Sequence, residues 1–104
     1  MRFTYRNKHF FIKSTSNKDW IYQDIVQHKR FYEIHLLEYI YSLRLFIRGD
    51  HCIDVGANIG NHSIFLGSFI KKKILSFECN DKVIPVLKEN LNNNNINFKI
   101  YENA

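Results

Sequence analysis

The residue types best suited to bind a ligand occur in one short stretch, residues 54–60, which read Asp-Val-Gly-Ala-Asn-Ile-Gly. An apolar run over residues 51–55 predicts a strand before it, and apolar positions at helical spacing predict a helix over residues 61–70. Gly56 allows the backbone to turn sharply and approach a ligand, and Gly60 allows the helix to begin against the strand. Because free N–H groups at a helix start favour a carboxylate or phosphate, the stretch predicts a binding loop.

Two acidic residues accompany this loop. Asp54 lies at the end of the first predicted strand, where its carboxylate can hold a cationic group or brace the loop. Glu78 ends the next predicted strand, 24 positions later in the chain. An acidic side chain at that place can accept hydrogen bonds from both hydroxyls of a ribose. The two residues therefore predict a nucleoside-containing ligand across the carboxyl ends of adjacent strands.

The glycine spacing distinguishes between cofactor classes. Dinucleotide-binding loops read G-x-G-x-x-G, whereas this chain reads G-x-x-x-G and has Asn58 where the middle glycine would admit a pyrophosphate. A fragment of an NAD-dependent oxidoreductase is therefore a disfavoured alternative, and the lack of a G-K-S or G-K-T triplet excludes a P-loop. The pattern D-x-G-x-N-x-G is instead similar to the nucleoside loop of class I methyltransferases. These enzymes bind S-adenosylmethionine, whose zwitterionic methionine end needs no pyrophosphate cradle.

A closer resemblance extends on both sides of the loop. Gly49-Asp50 and residues 52–63 resemble the opening of the FkbM family of methyltransferases. Asp19 before one helix and Phe31-Tyr32-Glu33 before a second are similar to the family's upstream pattern. Downstream, the likeness continues in Phe77-Glu78, Leu87, Asn90-Leu91, Asn95 and Asn103-Ala104. The resemblance covers residues 17–104, and its D-x-G-A-N-x-G-N core is the specific part.

The family resemblance implies roles for individual residues. The implied cofactor-binding residues lie in the loop motif or at the end of the next strand: Asp54, Gly56, Ala57, Asn58, Gly60, Asn61 and Glu78. The loop would wrap the methionine part of S-adenosylmethionine, and Glu78 would bind its ribose. Asn103 falls near the place where related proteins contact the adenine. Cys79 departs from the family, which more often has proline after the glutamate.

Members of this family typically methylate hydroxyl groups, often of sugars or other specialised metabolites. The resemblance therefore implies a small-molecule or glycan acceptor and an in-line displacement of methyl from a sulfonium, to which orientation contributes much of the catalysis. Any catalytic base and the acceptor pocket are expected beyond residue 104, so no catalytic residue is predicted. We expect the chain to be a truncated, cofactor-binding portion with little activity alone.

The rest of the pattern predicts the elements that hold the loop. Residues 3–12 predict a hairpin or an extended arm, and the polar residues 14–19 are rich in helix N-cap types. Residues 20–48 predict a helix that His28-Lys29-Arg30 break in two. Its periodic apolar positions are Ile21, Ile25, Tyr32, Leu36, Tyr39 or Ile40, Leu43 and Ile47. Strands over residues 51–55, 74–78 and 96–100 then alternate with helices over residues 61–70 and 81–92, with Pro85 in the first turn of the second.

The predicted fold is α/β, because strands that alternate with helices imply a parallel sheet with right-handed crossovers. N-terminal helices precede a β-α-β-α-β half of a Rossmann-like doubly wound sheet of the class I methyltransferase type, truncated. Residues 1–48 form an arm and helical lead-in, and residues 49–104 form the first half of the cofactor-binding domain. In the complete fold a further strand pairs beside the first, so this sheet has an open edge. An alternative function follows, that of a non-catalytic remnant or interaction module that pairs through this edge with a partner chain or itself.

Composition and local motifs bear on several other classes of protein. With 45% hydrophobic and 24% charged residues in 104, the chain is a folded domain and not a disordered segment. The first eight residues lack the apolar core of a signal peptide, so none is expected there. The longest apolar stretch, residues 34–47, contains Glu38 and Arg44, so no membrane span is predicted. Cys52 and Cys79 form no CxxC pair and the histidines have no ligand spacing, so we expect a reduced, cytoplasmic protein without a metal. A nucleic-acid partner would rest only on the net charge of +5.

For two further residues near the loop, we prefer a structural role over a functional one. His62 lies in the first turn of the helix after the loop, where a packing or solvent-facing role is favoured over contact with a substrate. Cys52 is expected to be a small buried hydrophobic residue.

Overall fold

A parallel sheet of three strands carries the loop of residues 54–60, and the computed structural model describes residues 1–103 of the chain. The elements are, in chain order, β1 (Arg2–Tyr5), β2 (Lys8–Phe11), α1 (Trp20–His28), α2 (Ile34–Ser42), a 3₁₀ turn (Arg44–Phe46), β3 (His51–Val55), α3 (Asn61–Phe65), a π-helical turn (Leu66–Ile70), β4 (Lys73–Phe77), α4 (Ile84–Asn93) and β5 (Phe98–Tyr101). The α/β class and the parallel pairing that the sequence predicts are therefore confirmed.

The sheet has the order β3-β4-β5, with Ile53 opposite Leu75 and Leu75 opposite Lys99. Strand β5 begins two residues later than predicted, because the N–H of Ile96 donates to the carbonyl of Leu91 and closes the end of α4. Asn95 makes this reversal possible with a left-handed φ of 57°. Asparagine tolerates that conformation better than most residues do, as the asparagine run predicted.

The N-terminal half is a hairpin followed by two short helices. Strands β1 and β2 pair antiparallel, and the Asp19 carboxylate caps α1 by accepting from the N–H groups of Ile21 and Tyr22. Helix α1 ends at Lys29, whose φ of 53° is left-handed and whose N–H donates to the carbonyl of Ile25. The predicted break in the lead-in helix is therefore confirmed.

The apolar spacing predicted for the lead-in does not hold across this break. Helix α2 buries Ile34 and Leu37, whereas Leu36 is 48% exposed and Tyr39 is 63% exposed. The reason is the non-helical connection between α1 and α2, which changes the rotation of the second helix. One period of 3.6 residues therefore cannot describe both helices.

The hairpin, the lead-in helices and the sheet share one hydrophobic core. Phe31 lies at its centre, with its ring edge-on to the rings of Phe3, Phe10 and Phe65 at centroid distances of 5.0, 4.9 and 5.4 Å. Such edge-to-face pairs stabilise a core beyond the area they bury. Residues 1–48 therefore pack directly on the elements that follow them.

Two asparagines, one in α4 and one that directly follows it, attach the hairpin to the sheet layer. The side chain of Asn90 is fully buried, accepts from the N–H of Lys13, and donates to the carbonyls of Lys13 and Ile59. The amide of Asn94 pairs in the same way with the N–H and carbonyl of Phe11. The amide of Asn90 thus joins three parts of the chain, namely the hairpin, the loop before α3 and α4.

The opposite face of the sheet is open within residues 1–103. Successive side chains of a strand point to opposite faces, and the helices cover the face with Ile74 and Ser76, which are both fully buried. On the other face Ile53 is 64% exposed and Val55 is 78% exposed. Strand β3 also pairs only with β4, so its outer edge is free of backbone partners in the described part of the chain.

We expect Asn90→Ala to lower the free energy of unfolding by about 3 kcal/mol, because it leaves a buried carbonyl of Ile59 and two partly buried backbone groups of Lys13 without partners. Urea denaturation followed by circular dichroism measures this change. Asn92→Ala is the matched control, since Asn92 is exposed on the same helix. Equal stability of the two variants would contradict this role for Asn90.

Candidate functional site

The loop after β3 folds back onto the end of β4. The N–H groups of Gly56 and Ala57 both donate to the carbonyl of Phe77, at 2.9 and 3.0 Å. The N–H of Gly60 then donates to the carbonyl of Ala57 at 2.9 Å, and α3 begins. These hydrogen bonds hold the loop at the carboxyl end of the sheet, where open α/β sheets bind their ligands.

The two glycines of the motif serve different physical needs. Gly60 has a φ of +99°, and a Cβ built there would lie 3.1 Å from Cδ1 of Leu87, so α3 and α4 approach closely at this point. Gly56 has a φ of +72°, but apart from its own atoms and those of its two chain neighbours, no atom of residues 1–103 lies within 4 Å of a Cβ built there. Backbone conformation alone therefore requires glycine at position 56, and the space in front of it is free for a ligand.

Glu78 lies directly beside the loop, as the sequence predicts for the two strand ends. Its Oε1 accepts from the N–H of Asn58 at 2.7 Å, and its Oε2 accepts from the N–H of Asn80 at 3.0 Å. Asn58 itself adopts a left-handed φ of 51°, a conformation that asparagine tolerates better than most residues do. Each carboxylate oxygen can accept more than one hydrogen bond, so half-buried Glu78 retains acceptor capacity for a ligand.

Asp54 is buried in the layer between the sheet and α3. The hydroxyl of Ser63 donates to its Oδ2 at 2.6 Å and lies 2.8 Å from the hydroxyl of Ser76. Of the two roles that the sequence allows for Asp54, this contact is the bracing one. This contact joins the end of β3, helix α3 and strand β4 at one buried point.

Asn61 connects the loop to the lead-in helices. Its buried amide accepts from the N–H of Tyr32 at 2.8 Å and donates to the carbonyl of Tyr32 at 2.9 Å. The backbone before α2 is thereby fixed against the start of α3. This contact could not be predicted from the motif, because the two residues are 29 positions apart.

A cleft of about 240 Å³ lies between the loop and the segment that joins α1 to α2. Four of the predicted binding residues line it, namely Gly56, Ala57, Asn58 and Asn61. Asp54, Gly60 and Glu78 lie outside its lining, although Glu78 is hydrogen-bonded to one of the lining residues. The structure therefore places the predicted residues around one loop, with the cleft on one part of it and Glu78 at another.

Two ionisable side chains of this cleft were not among the predicted binding residues. Glu33 and His62 both line it, and Nε2 of His62 lies 3.2 Å from Oε1 of Glu33. That contact lacks hydrogen-bond geometry, so the buried Nε2 atom has no hydrogen-bond partner among the described residues. Burial and the neighbouring Glu33 raise the pKa of Tyr32, which also lines the cleft. In the sequence, the tripeptide Phe31-Tyr32-Glu33 was noted only as part of the family resemblance, and that was the one indication that this segment belongs to the site.

Other parts of the described chain carry less chemistry. A larger, open depression of about 600 Å³ lies on the hairpin beside Asn94 and contains none of the predicted site residues. Within residues 1–103, no three His, Cys, Asp or Glu side chains come together as a metal site. Cys52 is half-buried, and burial raises the pKa of its thiol. No helix among these residues has the length and apolar character needed to cross a membrane.

A scan against protein-family models finds no family that matches the chain, and a search of curated proteins finds no related sequence. The resemblance to FkbM methyltransferases, and the cofactor that it implies, therefore stay predictions.

We expect Ser63→Ala to lower the free energy of unfolding by about 2 kcal/mol, because the buried carboxylate of Asp54 loses its hydroxyl donor. Urea denaturation measures the change. Ser68→Ala, in the π-helical turn that continues α3, controls for replacing a helical serine by alanine. A loss no greater than that of the control would mean that the Asp54 contact is energetically neutral.

Proposed function

We propose that this chain is the cofactor-binding portion of an S-adenosylmethionine-dependent methyltransferase of FkbM type, which acts on a hydroxyl group of a sugar or another small metabolite. The observation that carries the proposal is the 2.7 Å hydrogen bond from the N–H of Asn58 to Glu78. It joins the glycine loop after β3 and the acidic residue after β4 into one surface. A nucleoside with an attached amino acid would contact the loop and Glu78 at the same time.

The arrangement of the sheet supports the finer fold assignment. Three parallel strands in the order β3-β4-β5 are joined by helical connections, as in one half of a Rossmann-like doubly wound sheet. The loop and Glu78 lie at the carboxyl ends of adjacent strands. That is the edge at which such sheets hold nucleotides.

The residues present fit S-adenosylmethionine in two respects. The space in front of Gly56 lets a ligand approach the loop backbone, and half-buried Glu78 has acceptor capacity for ribose hydroxyls. The cleft of about 240 Å³ is smaller than the roughly 300–1,000 Å³ of pockets that enclose a whole drug-sized ligand. It therefore suits one end of the cofactor, while the ribose lies outside it at Glu78.

The protein's contribution to the reaction is to bind and orient. When bound, the cofactor supplies an electrophilic methyl group on a sulfonium. Glu78 would accept from the ribose hydroxyls, and Gly56 would let the cofactor lie against the loop. Asp54 would keep the strand end and α3 in register through Ser63. Such positioning is a main source of rate in a displacement between two bound reactants.

We expect S-adenosylmethionine to raise the melting temperature of the chain, and NAD to leave it unchanged. A ligand at about 100 times its dissociation constant adds about 2.7 kcal/mol to the free energy of unfolding. Glu78→Gln keeps one acceptor oxygen for the N–H of Asn58 but removes the charge, and we expect it to reduce the shift severalfold. Differential scanning fluorimetry over a ligand titration measures both effects.

Glu89→Gln is the matched control, because Glu89 is an exposed carboxylate on α4 that pairs with Lys13 away from the loop. Its shift should equal that of the unaltered chain. A cooperative melt that S-adenosylmethionine does not move would refute cofactor binding by this chain, and a shift with NAD would revive the oxidoreductase alternative.

The free edge of β3 favours a second candidate function, that of a module which associates through its sheet. Within residues 1–103 this edge has no backbone partner, and the neighbouring Ile53 and Val55 side chains are 64% and 78% exposed. Edges of this kind are templates for pairing with another strand. A second copy of the chain is the simplest such partner to test.

For this second candidate we expect sedimentation velocity to give a weight-average mass that rises with protein concentration. Ile53→Lys should abolish the rise, because a charged residue on an edge strand opposes pairing. Leu45→Lys is the control, since Leu45 is also exposed, at 86%, but lies outside the strand. A monomer at all concentrations would argue against self-association through this edge.

A further inference from the structure

We propose that Glu33 and His62 form the subsite for the amino-acid end of the cofactor, an inference that rests on the function proposed above. The Glu33 carboxylate accepts from the α-ammonium group of the ligand, and Nε2 of His62 donates to its α-carboxylate. The two residues would thereby select a ligand that carries a free amino-acid zwitterion.

The placement of the pair supports this assignment. Both side chains line the same cleft as Gly56 and Asn58, and Asn58 in turn donates its N–H to Glu78 outside the cleft. A ligand that lies across the loop therefore meets Glu78 with one end and the pair with the other. The cleft is too small for the whole cofactor, and because Glu33 and His62 line it, the amino-acid part is the end that matches it.

The hydrogen-bonding side chains of the cleft match a zwitterion. Apart from the phenol of Tyr32, Glu33 and His62 are the ionisable side chains among the residues that line it. One carboxylate and one imidazole complement one ammonium and one carboxylate. The side chain of Glu33 is 42% exposed, so its carboxylate can be reached from solvent.

The unused hydrogen-bonding capacity of His62 is an independent sign of a ligand. Its Nε2 is buried but has no hydrogen-bond partner in residues 1–103, although Oε1 of Glu33 lies only 3.2 Å away. A buried polar atom left unsatisfied costs free energy, so native proteins rarely keep one without a reason. Because Nε2 is shielded from solvent, the imidazole has to turn toward the cleft to meet a ligand carboxylate, which would then supply the missing partner.

The backbone at Glu33 indicates that its position is imposed. Glu33 has a left-handed φ of 57°, which is unfavourable for a side chain without a local hydrogen bond to the backbone. The preceding residue, Tyr32, is held on both sides by the amide of Asn61. Residues in such conformations occur preferentially at ligand sites, where the surrounding structure holds them.

Three ligands and two variants test the assignment by isothermal titration calorimetry. S-adenosylmethionine has both charged groups, its decarboxylated form has only the amine, and 5′-methylthioadenosine has neither. Glu33→Gln should weaken the first two by about tenfold or more, the loss typical of a hydrogen bond to a charged group, and leave the third unchanged. His62→Gln should weaken S-adenosylmethionine by a similar factor and leave the other two unchanged.

Each other result has a distinct meaning. If the unaltered chain binds 5′-methylthioadenosine and S-adenosylmethionine equally well, or if the variants weaken all three ligands alike, the subsite is refuted but cofactor binding stands. If the unaltered chain binds none of them, the proposed function fails as well. Glu33→Asn serves as a second variant, because asparagine tolerates the left-handed backbone and lacks the charge.

Discussion

The loop after β3 has three consecutive N–H groups, those of Gly56, Ala57 and Asn58, and the end of β4 satisfies all three. The rest of the site depends on this constraint. Two of the groups share the carbonyl of Phe77, and the third is bound by the carboxylate of Glu78. Because the acceptors belong to the neighbouring strand, the loop cannot shift without a change in the pairing of β3 with β4. The loop side of the cleft therefore follows from sheet register, and the loop needs no ligand to take its shape.

Asparagine amides transmit this order to the N-terminal half. Asn61 holds the backbone of Tyr32, and Asn90 holds Lys13 and the carbonyl of Ile59. Each amide accepts one hydrogen bond from the backbone and donates at least one to it. It therefore fixes both the distance and the orientation of the segment it contacts, as paired strands do for each other. An apolar side chain of the same size would fill the volume but would leave several buried backbone groups without partners.

The local sequence pattern was sufficient to predict helices and strands, but not which distant residues contact each other. Residues 51–55, the break at Lys29 and the place of Pro85 could be predicted, because strand period, helix ends and proline geometry act over a few residues. The contact between Asn61 and Tyr32 and the pairing of Glu33 with His62 join residues 29 positions apart. The sequence also indicated that Asp54 belongs to the loop motif, but left open whether its carboxylate braces the loop or holds a ligand. Its buried hydrogen bond with Ser63, beside Ser76, is a bracing contact that only the structure reveals.

The attachment of the hairpin to α4 has a consequence for synthesis in the cell. Lys13 and Asn90 are 77 positions apart, and Phe11 and Asn94 are 83 positions apart. At about 5–20 residues per second, a ribosome makes the second partner roughly 4–17 s after the first. During that interval the aromatic hairpin exists without the helix that receives it. The attachment of the hairpin to α4 therefore forms late, whereas its contacts with Phe31 need only the residues that follow it closely in the chain.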